Sequence, residues 1–314
     1  MTTSGEKTAA RLVTVDAESA GRRLDNFLLT ELKGLPRTRI YRMIRKGEVR
    51  INKGRCKPTS RLAEGDIVRI PPVRLDADAG AGLPEGAKAA WIIDRIIHED
   101  DALLVLDKPS GLAVHGGSGI SLGAIELLRV ARPDCHYLEL VHRLDRDTSG
   151  CLLIAKKRSA LRNLHEQLRE GQTDKFYTTL LCGEWRGGER EVTFPLVVEH
   201  RKNGERHVRT GADGKPACTR FYPLETFAAA TLCEAELLTG RTHQIRVHAA
   251  AIRHPVAGDT RYGDAAATPP GLRRLFLHAS RIGITHPLTG EHIEFSTGLP
   301  EELQGVLARL RTGD

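Results

Sequence analysis

Val141-His142-Arg143-Leu144-Asp145-Arg146-Asp147-Thr148-Ser149-Gly150 is a polar stretch set between two apolar ones. Residues 137–141 lead in and residues 151–155 lead out before Lys156 and Lys157, which predicts a loop held between two strands. Loops carried by rigid strands are where catalytic groups tend to sit. Two carboxylates, Asp145 and Asp147, alternate with two guanidinium groups, Arg143 and Arg146, so a carboxylate turned inward has a cation near enough to keep it ionised. Such a group can serve as nucleophile or base. A solvated, charged turn closed by Ser-Gly fits the same spacing equally well, because structural ion pairs perturb carboxylates too.

A second informative stretch lies about a hundred residues on: Leu238-Thr239-Gly240-Arg241-Thr242-His243-Gln244-Ile245-Arg246-Val247-His248. Gly240 ends a strand, Thr242 is placed to cap a helix, and Arg246 falls one turn in, within reach of a carboxylate held elsewhere. His243 and His248 are five residues apart and do not share a helix face, and no Glu stands where His-Glu-x-x-His needs one, so no metal site is expected.

Between and around these stretches, strands are predicted over 91–97, 102–106, 175–183, 219–225, 229–238 and 275–279. Helices are predicted over 121–132, 159–170 and 301–311, the second with a buried stripe of Leu161, Leu164, His165 and Leu168. Residues 184–214 are polar and glycine-containing, and residues 258–263 read as a turn. His115-Gly116-Gly117-Ser118-Gly119 lacks the Gly-Lys-Ser/Thr ending of a phosphate-binding loop and reads as a flexible loop. More strands than helices, without regular alternation, indicate a mixed α/β body with a largely antiparallel sheet.

The 314 residues are 40% hydrophobic, enough for a sizeable core and about two domains. No apolar run approaches the ~18 residues of a membrane span, and residues 1–11 lack the apolar core of a signal peptide, so a cytoplasmic protein is expected. Six scattered cysteines, without a Cys-x-x-Cys pair, argue for reduced structural residues. Charge is unevenly spread. Residues 21–74 hold 15 Lys and Arg against 5 Asp and Glu, a net of +10 in a chain whose total is +7. A basic module on a near-neutral body points to an anionic polymer as partner.

That module starts with helical patterns from Arg23 to Leu32 and from Arg37 to Gly47, followed by short strands near 49–51 and 65–71. Arg37, Arg39, Arg42, Arg45 and Lys46 lie beside the apolar positions of the second helix, and the same sign continues in Arg50, Lys53, Arg55 and Lys57, favouring phosphate contact over a merely solvated face. Arg23-Leu24-Asp25, Ile44-Arg45-Lys46-Gly47-Glu48-Val49 and Gly65-Asp66 together resemble the S4 RNA-binding domain, a holder of folded RNA. The organisation read from the sequence is an extension over 1–20, this domain over 21–73, a linker over 74–90 rich in Ala and Gly, and a larger domain over 91–314.

The motif of residues 142–150, the Lys175-Phe176-Tyr177 strand, residues 240–248 and Leu277-His278-Ala279 occur in the order found in RNA pseudouridine synthases of the RluA family, which the chain therefore resembles over about residues 21–311. The resemblance implies an α+β protein: a small N-terminal S4 domain plus a mixed, mostly antiparallel α/β pseudouridine synthase domain. It implies Asp145 as the essential catalytic group, with Asp147 a structural partner, Tyr177 packing on the uracil and Arg246 pairing with Asp145. Arg143 is similar to the residue that enters the RNA stack as the uridine leaves, and Ile245 and Leu277 would be apolar walls. Within the family the likeness is greatest to members acting on large-subunit (23S) ribosomal RNA, so isomerisation of specific uridines there is the expected function, by a monomer. The reaction calls for no redox cofactor, nucleotide or metal. A transfer RNA substrate, or a non-catalytic RNA-binding role in ribosome assembly, are the alternatives. A glycoside hydrolase is a weaker one, since carboxylates two residues apart in one loop do not flank a sugar bond at the ~5 Å or more required. Two positions depart from the family: Asp107-Lys108-Pro109 stands where Asn-Lys-Pro is common, and Arg253 stands where a Gly precedes His-Pro.

Overall fold

The computed structural model describes residues 10–17, 19–32, 35, 37–73, 89–116, 122–200, 206–264 and 268–313, except the side chains of Arg37, His200 and Arg206. Most of the linker reading and Gly117-Ser118-Gly119 fall outside them. The chain divides into two compact units, Met1–Glu85 and Gly86–Asp314.

In the first unit the order is β1 (Arg11–Thr14), α1 (Leu24–Glu31), α2 (Arg37–Lys46), β2 (Arg50–Ile51) and β3 (Ile67–Ile70), with an antiparallel sheet ordered β1-β3-β2. Its core gathers Ile40, Met43 and Ile44 of α2 with Leu24, Phe27 and Leu28 of α1 and Val68 and Ile70 of β3, the i, i+3, i+4 spacing putting the α2 residues on one face. Arg23-Leu24-Asp25 has a structural explanation. Asp25 is wholly buried and is held by the Arg23 guanidinium at 3.1 and 2.7 Å and the Tyr41 hydroxyl at 2.6 Å. The strand β1 lies upstream of residue 21, where the sequence reading starts the module. Four residues with exposed flanks give too short a pattern to register.

The second unit runs through a 3₁₀ turn (Ala90–Arg95), β4 (Ile96–Glu99), β5 (Leu103–Lys108), α3 (Ala124–Ala131), β6 (Glu139–Leu140), β7 (Ser149–Ala155), α4 (Arg158–Glu170), β8 (Asp174–Cys182), β9 (Arg190–Val192), β10 (Leu196–His200), β11 (Arg206–Thr210), β12 (Thr219–Thr226), β13 (Ala230–Leu237), α5 (Gln244–Ala251), β14 (Leu277–Thr285), β15 (His292–Ser296) and α6 (Glu301–Thr312). Its main sheet is ordered β4-β5-β7-β14-β8-β13-β12-β9, with β15 on β14 and β6 on β7, and β10 and β11 form a separate hairpin. Only the β7–β14 pairing is parallel in the described sheet. β7 is buried along its whole length. Leu152 and Ile154 join the cluster that includes Leu127 and Leu128 of α3, while Cys151, Leu153 and Ala155 join Ala160 and Leu164 of α4. Alternate side chains thus serve two faces, as a continuous apolar run requires.

The structure corrects several local expectations. Residues 90–95 form a 3₁₀ turn rather than a strand, with Ile92 inward and Trp91 outward, an alternation that a strand shares over so few residues. The polar segment 184–214 contains β9, β10 and β11, whose exposed edges hide their period. On α4 the buried stripe is Ala160, Leu164 and Gln167, and His165 is exposed. Gln167 is tolerated there because its amide donates to Asn163 and to the Thr285 carbonyl and accepts from the Thr285 N–H.

Candidate active site

The polar stretch after β6 leaves the sheet as a loop and returns as β7. Gly150 decides where it returns: φ is +110°, and a Cβ there would lie 2.2 Å from the Ala279 carbonyl oxygen, so only glycine lets β7 meet β14 at the Ala279↔Gly150 register. The loop is pinned from below by Lys108. Its buried Nζ donates to the carbonyls of Pro109, Leu112 and Arg146 at 2.9, 2.8 and 3.0 Å, while burial pushes its ammonium down to about 7. Ser110 Oγ donates to the Asp147 carbonyl at 2.8 Å. Of the loop's own charges, Arg143 is exposed and Arg146 pairs outward with Asp147 at 3.0 Å. His142 accepts the Leu153 N–H through Nε2, and burial pushes it down to about 4, so it is a neutral structural acceptor. Asp145 points the other way.

The cation beside Asp145 comes from α5. Arg246 Nη1, the partner that the resemblance implied, lies 3.2 Å from Asp145 Oδ2, whereas Arg143 and Arg146, the cations that the alternation of charges suggested, do not supply that contact. Arg246 is itself gripped by Asp259, through Nε at 2.7 Å and Nη2 at 2.8 Å. Burial works against both charges, but the two-pronged pair outweighs it: the guanidinium is raised further above its ordinary value and the Asp259 carboxyl is lowered. The Tyr262 ring lies against the guanidinium, 5.1 Å from its carbon. Asp259 and Tyr262 escape sequence reading, which sees only a turn at 258–263.

Thr242 is not the cap of α5. That position is taken by His243 with φ 54° and no side-chain cap bond, a left-handed conformation that costs a non-glycine residue on the order of 1 kcal/mol. The turn is stabilised instead by Gln244, whose Oε1 accepts from Thr239 Oγ1 and the Arg241 N–H and whose Nε2 donates to the Cys218 carbonyl and Thr219 Oγ1. His248 is fully buried and bonded to Thr219 and the Phe194 carbonyl. Among the described residues no three His, Cys, Asp or Glu side chains converge as metal ligands.

These elements enclose a cavity of about 670 Å³ lined by Asp145, Arg246, Tyr177, Ile245 and Leu277, with Arg143 also on its wall. That volume is ample for a nucleotide-sized ligand. Tyr177 and Lys175 stand two apart on β8 and face the cavity together. Burial, with the Asp145 charge adding, pushes the Tyr177 phenol well above its ordinary range, so it remains protonated and offers a flat apolar face. Ile245 and Leu277 are buried, 3% and 4% exposed, and complete the dry side. The cavity thus presents the Asp145 carboxylate, braced by a buried cation, to whatever the aromatic and aliphatic walls enclose. The S4-like residues lie in the other unit: Arg42, Arg45 and Lys46 are exposed on α2 and Arg39 is half-buried.

The chain is similar to known proteins over nearly its whole length. Residues 102–251 match the family described as RNA pseudouridylate synthase and residues 22–68 match the S4 domain. The chain is 52% identical over 309 residues to ribosomal large subunit pseudouridine synthase C of Yersinia pestis, covering 96% of each. It is 51% identical over 313 residues to the protein of the same name from Escherichia coli strain K12, covering 98% of each. Among solved structures, human RNA pseudouridylate synthase domain containing 4 superposes with a TM-score of 0.60 at 26% identity, over 72% of this chain and 97% of that one. A full-length likeness of this strength, on a cavity so furnished, establishes that the chain belongs to the RNA pseudouridylate synthase family.

Proposed function

We propose that this protein isomerises specific uridines of 23S, large-subunit, ribosomal RNA to pseudouridine, with Asp145 as the essential catalytic residue. The observation that carries the chemistry is Asp145 set 3.2 Å from Arg246 inside the Tyr177-walled cavity. The substrate rests on the relatives named ribosomal large subunit pseudouridine synthase C. The reaction breaks the bond from N1 to C1′, turns the uracil, joins C5 to C1′, and moves the C5 proton so that N1 ends protonated. Asp145 acts at the ribose, either attacking C1′ or removing a ribose proton, and Arg246 holds its carboxylate in position. Tyr177 stacks on the base, Ile245 and Leu277 exclude water that would trap it, and Arg143 fills the gap left in the RNA stack. Arg37, Arg39, Arg42, Arg45 and Lys46 hold phosphates elsewhere on the RNA. The protein works as a cytoplasmic monomer.

The test is pseudouridine mapping of large-subunit ribosomal RNA from cells lacking the protein, complemented with the native chain or with Asp145→Ala. Defined sites should vanish and return only with the native chain. An unchanged map in all three strains would remove the ribosomal assignment, leaving transfer RNA as the next substrate to map.

A further inference from the structure

His243 has no task in the reaction as described, yet it is held in an unusual way. Its backbone sits at φ 54°, its Nδ1 is 2.7 Å from the Tyr262 hydroxyl oxygen, and its Nε2 is 3.8 Å from Asp145 Oδ1. Oδ1 is the carboxylate oxygen that Arg246 leaves unclaimed, since Nη1 of Arg246 donates to Oδ2. Tyr262 decides where the ring carries its proton. The phenol oxygen accepts the Val208 N–H at 3.2 Å. With its oxygen accepting there, the phenol's proton points at Nδ1 of His243 across the 2.7 Å contact, and a neutral ring that accepts it bears hydrogen on Nε2, facing Asp145.

We propose that His243 and Tyr262 are positioning residues for Asp145: Tyr262 sets the tautomer and orientation of the imidazole, and the Nε2–H of His243 steers the Oδ1 side of the carboxylate while Arg246 holds the Oδ2 side. At 3.8 Å the contact is longer than a hydrogen bond, and it closes when substrate displaces the carboxylate toward the ring, as catalytic contacts commonly tighten on binding. The groups facing His243 are Asp145, Asp259, Arg246, Arg261 and Tyr262. Burial lowers its basicity against the pull of Asp145, which keeps the ring neutral. With this left-handed backbone the ring lies beside the Asp145 carboxylate. This inference rests on the role proposed for Asp145.

Two measurements test it. In the full-length protein with ¹⁵N-labelled histidine, two-bond ¹H–¹⁵N correlation should show His243 as the neutral Nε2–H tautomer, and Tyr262→Phe should abolish that preference. In turnover of a 23S ribosomal RNA fragment, His243→Gly, which suits the backbone, should lower kcat about 30-fold with KM within about twofold, and Tyr262→Phe about 10-fold. The double variant should be no slower than His243→Gly alone. An Nδ1–H tautomer in the native protein, a His243→Gly enzyme within twofold of native kcat, or losses that multiply in the double variant would each overturn the inference. A native protein silent on the fragment overturns the substrate assignment instead, and the tautomer still decides the inference because it is read without RNA.

Discussion

Arg246 carries more of this site than any other side chain. It bridges a wholly buried carboxylate, Asp259, and a part-exposed one, Asp145, which turns an isolated ion pair into a braced one. A lysine keeps the charge but not the planar fork, so Arg246→Lys is expected to lower kcat about 100-fold while leaving RNA affinity within a few-fold, measured on purified protein. The departures from the family pattern also resolve at this scale. Asp107, where Asn is common, pairs with Arg95 at 3.5 Å near the surface. Arg253, where Gly is common, is exposed and sits at φ 66°, the left-handed conformation that glycine adopts without strain. Arg253→Gly should therefore stabilise the protein by about 1 kcal/mol in urea unfolding with turnover unchanged. Asp145 and Arg246 stand in recognisable motifs. Asp259 does not, because nothing local distinguishes a carboxylate that will meet an arginine thirteen residues earlier from one that merely closes a turn.

Elements hold the chemistry still. The Asp145 loop is pinned by β5 through Lys108 and by β14 through the Gly150 crossing, and α5 is pinned by Gln244. The turn between β4 and β5 is fastened in a similar way by Asp100. One carboxylate oxygen accepts the Ala102 and Leu103 N–H groups at 2.6 and 2.9 Å, and the other contacts His98 and His286 at 2.8 and 3.1 Å. Burial opposes its charge, but these bonds prevail and hold the carboxyl at about 2, against 3.8 for a free group. Because the folded value is depressed, the stabilisation is present above about pH 4 and disappears as pH falls through 2. Asp100→Asn should cost about 2 kcal/mol at pH 7, and urea unfolding across pH should show the gap to native closing in that window. In the first unit, α2 offers its exposed Arg42 and Arg45 to solvent. Changing both to Glu should weaken RNA binding and reduce the slope of log affinity against log salt by about 1 to 2, read by binding titrations at several salt concentrations.

At the scale of the whole molecule, no apolar cluster of the described residues draws on both units. Among the described residues, the cluster of the first unit has no member beyond Val73, and those of the second begin at Ala89. A fragment of residues 86–314 should consequently unfold in one cooperative step and retain kcat, while KM for a long RNA rises about 10-fold or more and loses much of its salt dependence. The uneven charge, the apolar run of β7, the amphipathic α2 and the two motif stretches were all legible along the chain, because period and composition are local quantities that the sequence states outright. They carried the two-part organisation, the mixed sheet and the position of the loop. The pairing of Arg246 with Asp145 was already implied by the resemblance; what folding alone supplied was the surroundings of that pair, Asp259 behind Arg246 and His243, at φ 54°, with its ring beside the same carboxylate. Those contacts depend on the β7–β14 crossing and on which face of α5 turns inward, and such geometry is fixed by packing across a hundred residues rather than by any pattern within ten.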